Sequence, residues 1–74
     1  MTLDKLQAGQ PATVRKINGK GAVRRRLMDM GLVRGINIEK VKAAPMGDPV
    51  EYLVRGYHLS LRKSEAELVE IELC

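Results

Sequence analysis

His58 and Ser60, two residues apart, are the pairing in this sequence that looks most like a nucleophile beside its base. In an extended chain, residues i and i+2 share a side, so the imidazole and the hydroxyl face the same way. Nucleophilic catalysis also needs a group that orients the base. No motif supplies one, so the pair reads as two polar residues on a solvent face. His58 is the only histidine, and the only cysteine is the last residue, Cys74. His58, Asp48, Glu51 and Cys74 show no spacing known for metal sites. Gly19-Lys20-Gly21 is too short for a GxxxxGK[ST] phosphate loop. The residues argue against catalysis, an intrinsic metal site or a bound cofactor, and toward binding.

The residues suited to binding lie between Arg24 and Gly35 (RRRLMDMGLVRG). Val23, Leu27 and Met30 recur at i, i+4 and i+7, the apolar stripe of a helix of about three turns over Lys20 to Met30. Gly31 then fits the left-handed residue that ends a helix, with Leu27 and Leu32 as the apolar contact across the ending. On that helix Arg24, Arg25 and Arg26 spread over the solvent side rather than forming one comb. Met28 projects about 100° off the stripe, which leaves it either an exposed hook or covered by the Leu3 to Leu6 segment or the Leu32 turn. Asp29, a carboxylate in the last turn, opposes the helix dipole by about 0.3 kcal/mol or more. Arg25 and Arg26, one turn back, are positioned to offset it. A flexible apolar side chain among arginines has the texture of an interface. The candidate partner-binding residues are Arg26, Met28, Asp29, Leu32 and Arg34.

The rest of the chain must position this segment. Leu3 and Leu6 form an entry segment before the turn at Ala8-Gly9-Gln10-Pro11, and Ala12, Val14 and Ile17 mark a first strand of imperfect period ended by Asn18-Gly19. From Ile36 to Ala43 the apolar phase switches, with Ile36 and Ile38 on one phase and Val41 and Ala43 on the other, which predicts a bulge near Glu39 or Lys40. Pro45 to Pro49 forms a turn. Val50, Tyr52 and Val54, then Leu59 and Leu61 past Arg55-Gly56, form two half-buried antiparallel strands. Ser64 as N-cap with Glu67 at N3 predicts a capped turn. Val69, Ile71 and Leu73 form the last strand. About five short strands and one helix are most economically closed into a small SH3-like barrel plugged by the helix, a mostly β fold.

With 74 residues the chain is one domain, residues 1–74, with a core built of Leu, Val, Ile, Met and Ala, because Trp and Phe are absent. A chain this short buries only about 60% of its unfolded surface, which leaves little room for a cleft. The lone cysteine forms no internal disulfide, and no signal peptide or membrane helix is legible, so a cytosolic location is expected. The formal net charge is +4, and nine of the thirteen basic residues lie between Arg15 and Lys42. Glu65, Glu67, Glu70 and Glu72 crowd the other end, so one surface is expected to be basic and another acidic.

Several pieces resemble the FeoA family, small cytosolic accessory proteins of bacterial ferrous iron transport. They are Asn18-Gly19, the helix leading into Arg26-Leu27, Met30-Gly31-Leu32 with Gly35, Ala44-Pro45-Met46-Gly47-Asp48-Pro49, Gly56, Leu61-Arg62 and Glu65-Ala66. Arg34 departs from the proline usual in the family at that place. The resemblance implies an SH3-like barrel, no enzymatic activity, and association with the cytosolic GTP-binding part of the membrane transporter FeoB. Attraction of the basic face to the anionic inner leaflet would aid such docking. Two alternatives are a basic small barrel that binds nucleic acid, and direct iron binding. The near absence of aromatic stacking platforms counts against the first, so no nucleic-acid partner is expected.

Overall fold

A computed structural model describes residues 1–74. A short 3-10 turn at Leu3–Lys5 precedes β1 (Pro11–Ile17) and α1 (Gly21–Asp29). There follow β2 (Asn37–Ala43), β3 (Val50–Val54), β4 (Tyr57–Leu61), α2 (Lys63–Ala66) and β5 (Val69–Leu73). The strands form one antiparallel sheet in the order β4-β3-β2-β1-β5. Its inward residues follow the expected alternation: Ala12, Val14 and Ile17 on β1, Val50, Tyr52 and Val54 on β3, Leu59 and Leu61 on β4, Val69 and Ile71 on β5. Leu3 and Leu6 join the same core.

The ladder does not close on itself, since β4 and β5 are its two ends. The β5 edge is partly covered by the N-terminal residues, with Thr2 bridged to Glu70 and the Ile71 N–H donating to the Met1 carbonyl. From the other end, the Tyr57 hydroxyl donates to the Met30 carbonyl at the end of α1. Arg55 and Gly56, with φ of 50° and 87°, form the two-residue turn joining β3 to β4. Positive φ at both positions matches the twist of the flanking strands.

Two bulges interrupt the register. One falls between Lys40 and Lys42, so Val41 is the extra residue, next to the expected place. It turns the second apolar phase outward, leaving Val41 half-buried and Ala43 exposed. The other falls between Val14 and Lys16 on β1, with Arg15 as the extra residue, which explains the imperfect period there. Arg15 and Lys16 are both exposed in consequence.

Helix α1 buries less than its stripe predicts. Leu27 is fully buried and Met30 packs partly against the core, but Val23 is 44% exposed. Only the C-terminal half of the helix reaches the sheet, and its first turn leans toward α2, where Ala22 and Val23 line a groove with Leu68. Leu73 is also more exposed than its alternation implies, because β5 runs past the core. The α2 cap lies two residues earlier than the sequence suggests. Arg62 is the N-cap, and its N–H donates to the Glu65 carboxylate at 2.9 Å. The Asp48 carboxylate, brought in by the 45–49 turn, accepts the Lys63 N–H at 2.8 Å. With those donors satisfied, Ser64 sits inside the turn.

The ending of α1 follows the sequence closely. The Leu32 N–H donates to the Leu27 carbonyl at 3.2 Å and the Gly31 N–H to the Met28 carbonyl at 3.0 Å, the paired bonds of a Schellman ending. Gly31 has a φ of 100°, and a Cβ there would collide with the Tyr57 hydroxyl. Gly31→Ala is therefore expected to lower stability by about 2 kcal/mol, the left-handed conformation alone costing a large part of that. Urea denaturation measures it, and a loss of a few tenths would contradict the assignment.

Tyr52 is fully buried, its hydroxyl donating to the Leu3 carbonyl at 3.4 Å. Burial, with a smaller contribution from Asp4, pushes its phenol from 10.0 up to about 12. The folded state holds this proton more tightly than the unfolded one. The contribution to stability is thus complete below pH 10 and is lost as pH rises toward about 12. In urea titrations across that window, Tyr52→Phe should decline less steeply than the parent, and parallel declines would refute the coupling.

Candidate functional site

Three segments converge on a groove beside the end of α1: the bulged part of β1, the outer face of α1 and the 31–35 loop. Arg15, Lys16, Arg24 and Arg34 rim it, and Ile17, Met28, Leu32 and Val33 supply its apolar lining. Its volume is about 260 Å³. The local causes are legible one by one. The β1 bulge turns Arg15 and Lys16 outward together, as bulges re-aim side chains. Arg24 Nε donates to the Ile17 carbonyl at 3.4 Å, laying that side chain across the end of β1. The 31–35 loop is fastened back on β1, because the Val14 N–H donates to the Ile36 carbonyl and the Gly35 N–H to the Val14 carbonyl, both at 2.8 Å. Met28 and Val33 are each 38% exposed.

No carboxylate lines this groove. Arg15 reaches Glu72 at 3.7 Å, but both side chains are half exposed or more, and such a pair contributes little. The cations therefore have weak internal compensation. Asp29 lies outside the groove, on the neighbouring surface shared by Gly21, Arg24, Arg25 and Met28.

The candidate residues separate into four groups. Met28 and Arg34 come together in the groove. Asp29 is exposed on the adjoining face, and the pairing expected for it with Arg25 or Arg26 does not form a salt bridge. Arg26 instead pairs with Glu65 of α2, whose other oxygen accepts the Arg62 N–H. One carboxylate thus fastens α2 to α1. Leu32 is a correction: it is fully buried beneath the ending of α1, so its side chain is withheld from a partner. Of the groove residues, Arg15 and Lys16 lie outside the segment that the sequence marks for binding, while Arg24 and Val33 fall within it without being singled out. The signal for the first two was the broken alternation of β1, where two charged residues follow each other between Val14 and Ile17.

The residues weighed for catalysis or metal binding have structural partners. His58 Nδ1 lies 2.7 Å from a Glu51 carboxylate oxygen on the outer face of the β3-β4 hairpin, with Ser60 across from Glu51. Asp48 serves the N-terminus of α2. The Cys74 sulfur lies 3.5 Å from the Thr13 hydroxyl. No three His, Cys, Asp or Glu side chains gather closely enough to hold a metal ion. No helix is long and apolar enough to cross a membrane.

Fold and surface together define a small β domain of SH3-like architecture whose features are open grooves rather than an enclosed polar centre. The model of the FeoA domain matches residues 1–73, and the chain belongs to the FeoA family. It is 40% identical over 73 residues to the Fe(2+) transport protein A/Fe(2+) transporter FeoB fusion protein of Porphyromonas gingivalis, a match covering 99% of this chain and 9% of that protein. The chain thus spans less than a tenth of the length of that relative. The solution structure of FeoA from Chlorobium tepidum superposes with a TM-score of 0.90 at 44% identity, over 99% of this chain and 70% of that one. The crystal structure of Stenotrophomonas maltophilia FeoA, complexed with zinc and described as a prokaryotic SH3 domain protein, gives 0.86 at 32% identity, over 97% and 89% of the two chains. The SH3-like fold expected from the strand count is thereby established.

The separation of Leu32 from Met28 is measurable. Leu32→Ala should cost about 2–5 kcal/mol, as for other fully buried leucines. Met28→Ala should stay within about 0.5 kcal/mol, as for surface positions. Comparable losses for the two in urea denaturation would show that Met28 is part of the core.

Proposed function

We propose that this protein is an accessory component of bacterial ferrous iron uptake, located in the cytosol, that docks on the GTP-binding part of a FeoB-type membrane transporter. The observation that carries this reading is the fusion relative, in which a segment matching nearly all of this chain shares one polypeptide with a FeoB transporter. Two functions joined in one chain are held at high effective concentration, an arrangement suited to partners that work in contact. The surface supports the same reading, since Met28, Asp29 and Arg34 have no buried role and lie at or beside the basic groove.

The role is one of binding rather than catalysis. The one close imidazole and carboxylate pair lies on the outer face of a hairpin, where Glu51 and Ser60 border a groove with Lys42 and Pro49 that His58 does not line. Nucleic acid is a poorer partner for the groove, because its lining is aliphatic and thioether rather than aromatic.

Calorimetric titration of the purified chain against the cytosolic GTP-binding domain of a FeoB transporter tests the proposal. Binding is expected, weakened about tenfold or more by Met28→Asp and by Arg34→Glu in proteins that remain folded, a change of about 1.4 kcal/mol for each decade. Absence of binding would refute the partnership. Full binding by both variants would refute the surface.

A further inference from the structure

The chemistry of the groove identifies what kind of segment it accepts. Arg15, Lys16, Arg24 and Arg34 form a rim of four cations with no carboxylate among the lining residues, over a floor where Met28 and Val33 remain partly exposed. A concentration of like charge compensated only by the exposed Arg15–Glu72 pair is relieved by an acidic occupant. The volume, about 260 Å³, is below the roughly 300–1,000 Å³ of pockets that enclose a whole small ligand. It suits one anchoring side chain with backbone to either side. Met is a side chain that re-packs readily around such an anchor.

We infer that this groove binds an acidic protein segment carrying a single large apolar anchor, the anchor entering between Met28 and Val33 while Lys16, Arg24 and Arg34 engage flanking carboxylates. The inference deepens the proposed docking role and rests on that reading for its biological partner, but the binding chemistry follows from the groove alone. Arg24 is already laid across β1 by its contact with the Ile17 carbonyl, which restricts its freedom before any partner arrives. Leu32 is fully buried at the floor, so Met28 and Val33, each 38% exposed, are the apolar side chains that an anchor meets.

The test uses the intact isotope-labelled chain and three synthetic peptides of equal length: one of Glu and Asp around a central Leu, one with the Leu replaced by Ala, and one with Lys in place of every acid. The first peptide should shift the amide signals of Lys16, Arg24, Met28, Val33 and Arg34, and binding should weaken as NaCl is raised. The Ala peptide should bind about tenfold more weakly, and the Lys peptide should not bind. Arg34→Glu and Lys16→Glu, both at exposed positions, should each weaken binding about tenfold while preserving the dispersed spectrum of the folded chain. Equal binding of the acidic and basic peptides, shifts centred elsewhere, or tighter binding to phosphatidylglycerol vesicles or a single-stranded oligonucleotide would overturn the inference. Transporter-domain binding that survives Lys16→Glu and Arg34→Glu together would overturn it too, leaving the transporter partnership standing. Peptide binding as described, without transporter-domain binding, would support the inference and remove the proposed partner.

Discussion

Leu27 and Leu32 lie on either side of Gly31, and both are wholly withdrawn from water. For the chain to bury two leucines five residues apart, the helix must stop between them and reverse, which requires a left-handed residue at Gly31. Much of the molecule depends on that reversal. It sets Met30 against the core and offers its carbonyl to Tyr57, which ties the far strand of the sheet to the helix. It also sends the 31–35 loop back along β1, where Gly35 and Ile36 exchange backbone hydrogen bonds with Val14. The groove lies between the helix so ended and the strand so met. Its apolar lining is what remains once Leu32 has been drawn inward and Met28 and Val33 have been left outside.

Charge is arranged around this geometry rather than producing it. Glu65 takes Arg26 out of the basic surface and spends its carboxylate on joining α2 to α1, and Asp48 satisfies the start of α2. Those carboxylates are engaged away from the groove. Of the groove cations, Arg15 alone forms a salt bridge, the exposed one to Glu72, while Lys16 stands opposite Glu70 and Arg24 beside Asp29 without pairing. A chain of modest net charge thus carries a locally strong field on one face, of the kind that speeds encounter with an acidic partner at low ionic strength.

Much of this was legible in the sequence, and the reasons for the exceptions are physical. Period-two alternation in β3 and the Gly31 ending were readable because each is a local rule that tertiary packing also obeys. The stripe of Val23, Leu27 and Met30 overstated burial, since a periodic face reports what a helix is able to bury and not how much of its length meets the sheet. Ser64 looked like a cap because it is a capping residue type. A carboxylate from Asp48, distant in sequence, supplied the bond instead. Leu32 has the apolar character of a contact residue in its loop, but that character belongs to the core. The groove itself was hidden because it draws on three separate segments, although the broken alternation at Arg15-Lys16 was its trace in the sequence.

Helix α1 is joined to the rest of the molecule by few apolar side chains, Leu27 fully and Met30 in part, while its first turn stands over a groove. An element held by so little buried surface opens on its own more readily than the interleaved strands beneath it. Local opening of this kind would dissolve one wall of the basic groove and leave the sheet intact. An occupant seated against Met28 would oppose that opening, so binding there would be registered as slowed exchange of amide hydrogens along the whole helix, well beyond the residues touched.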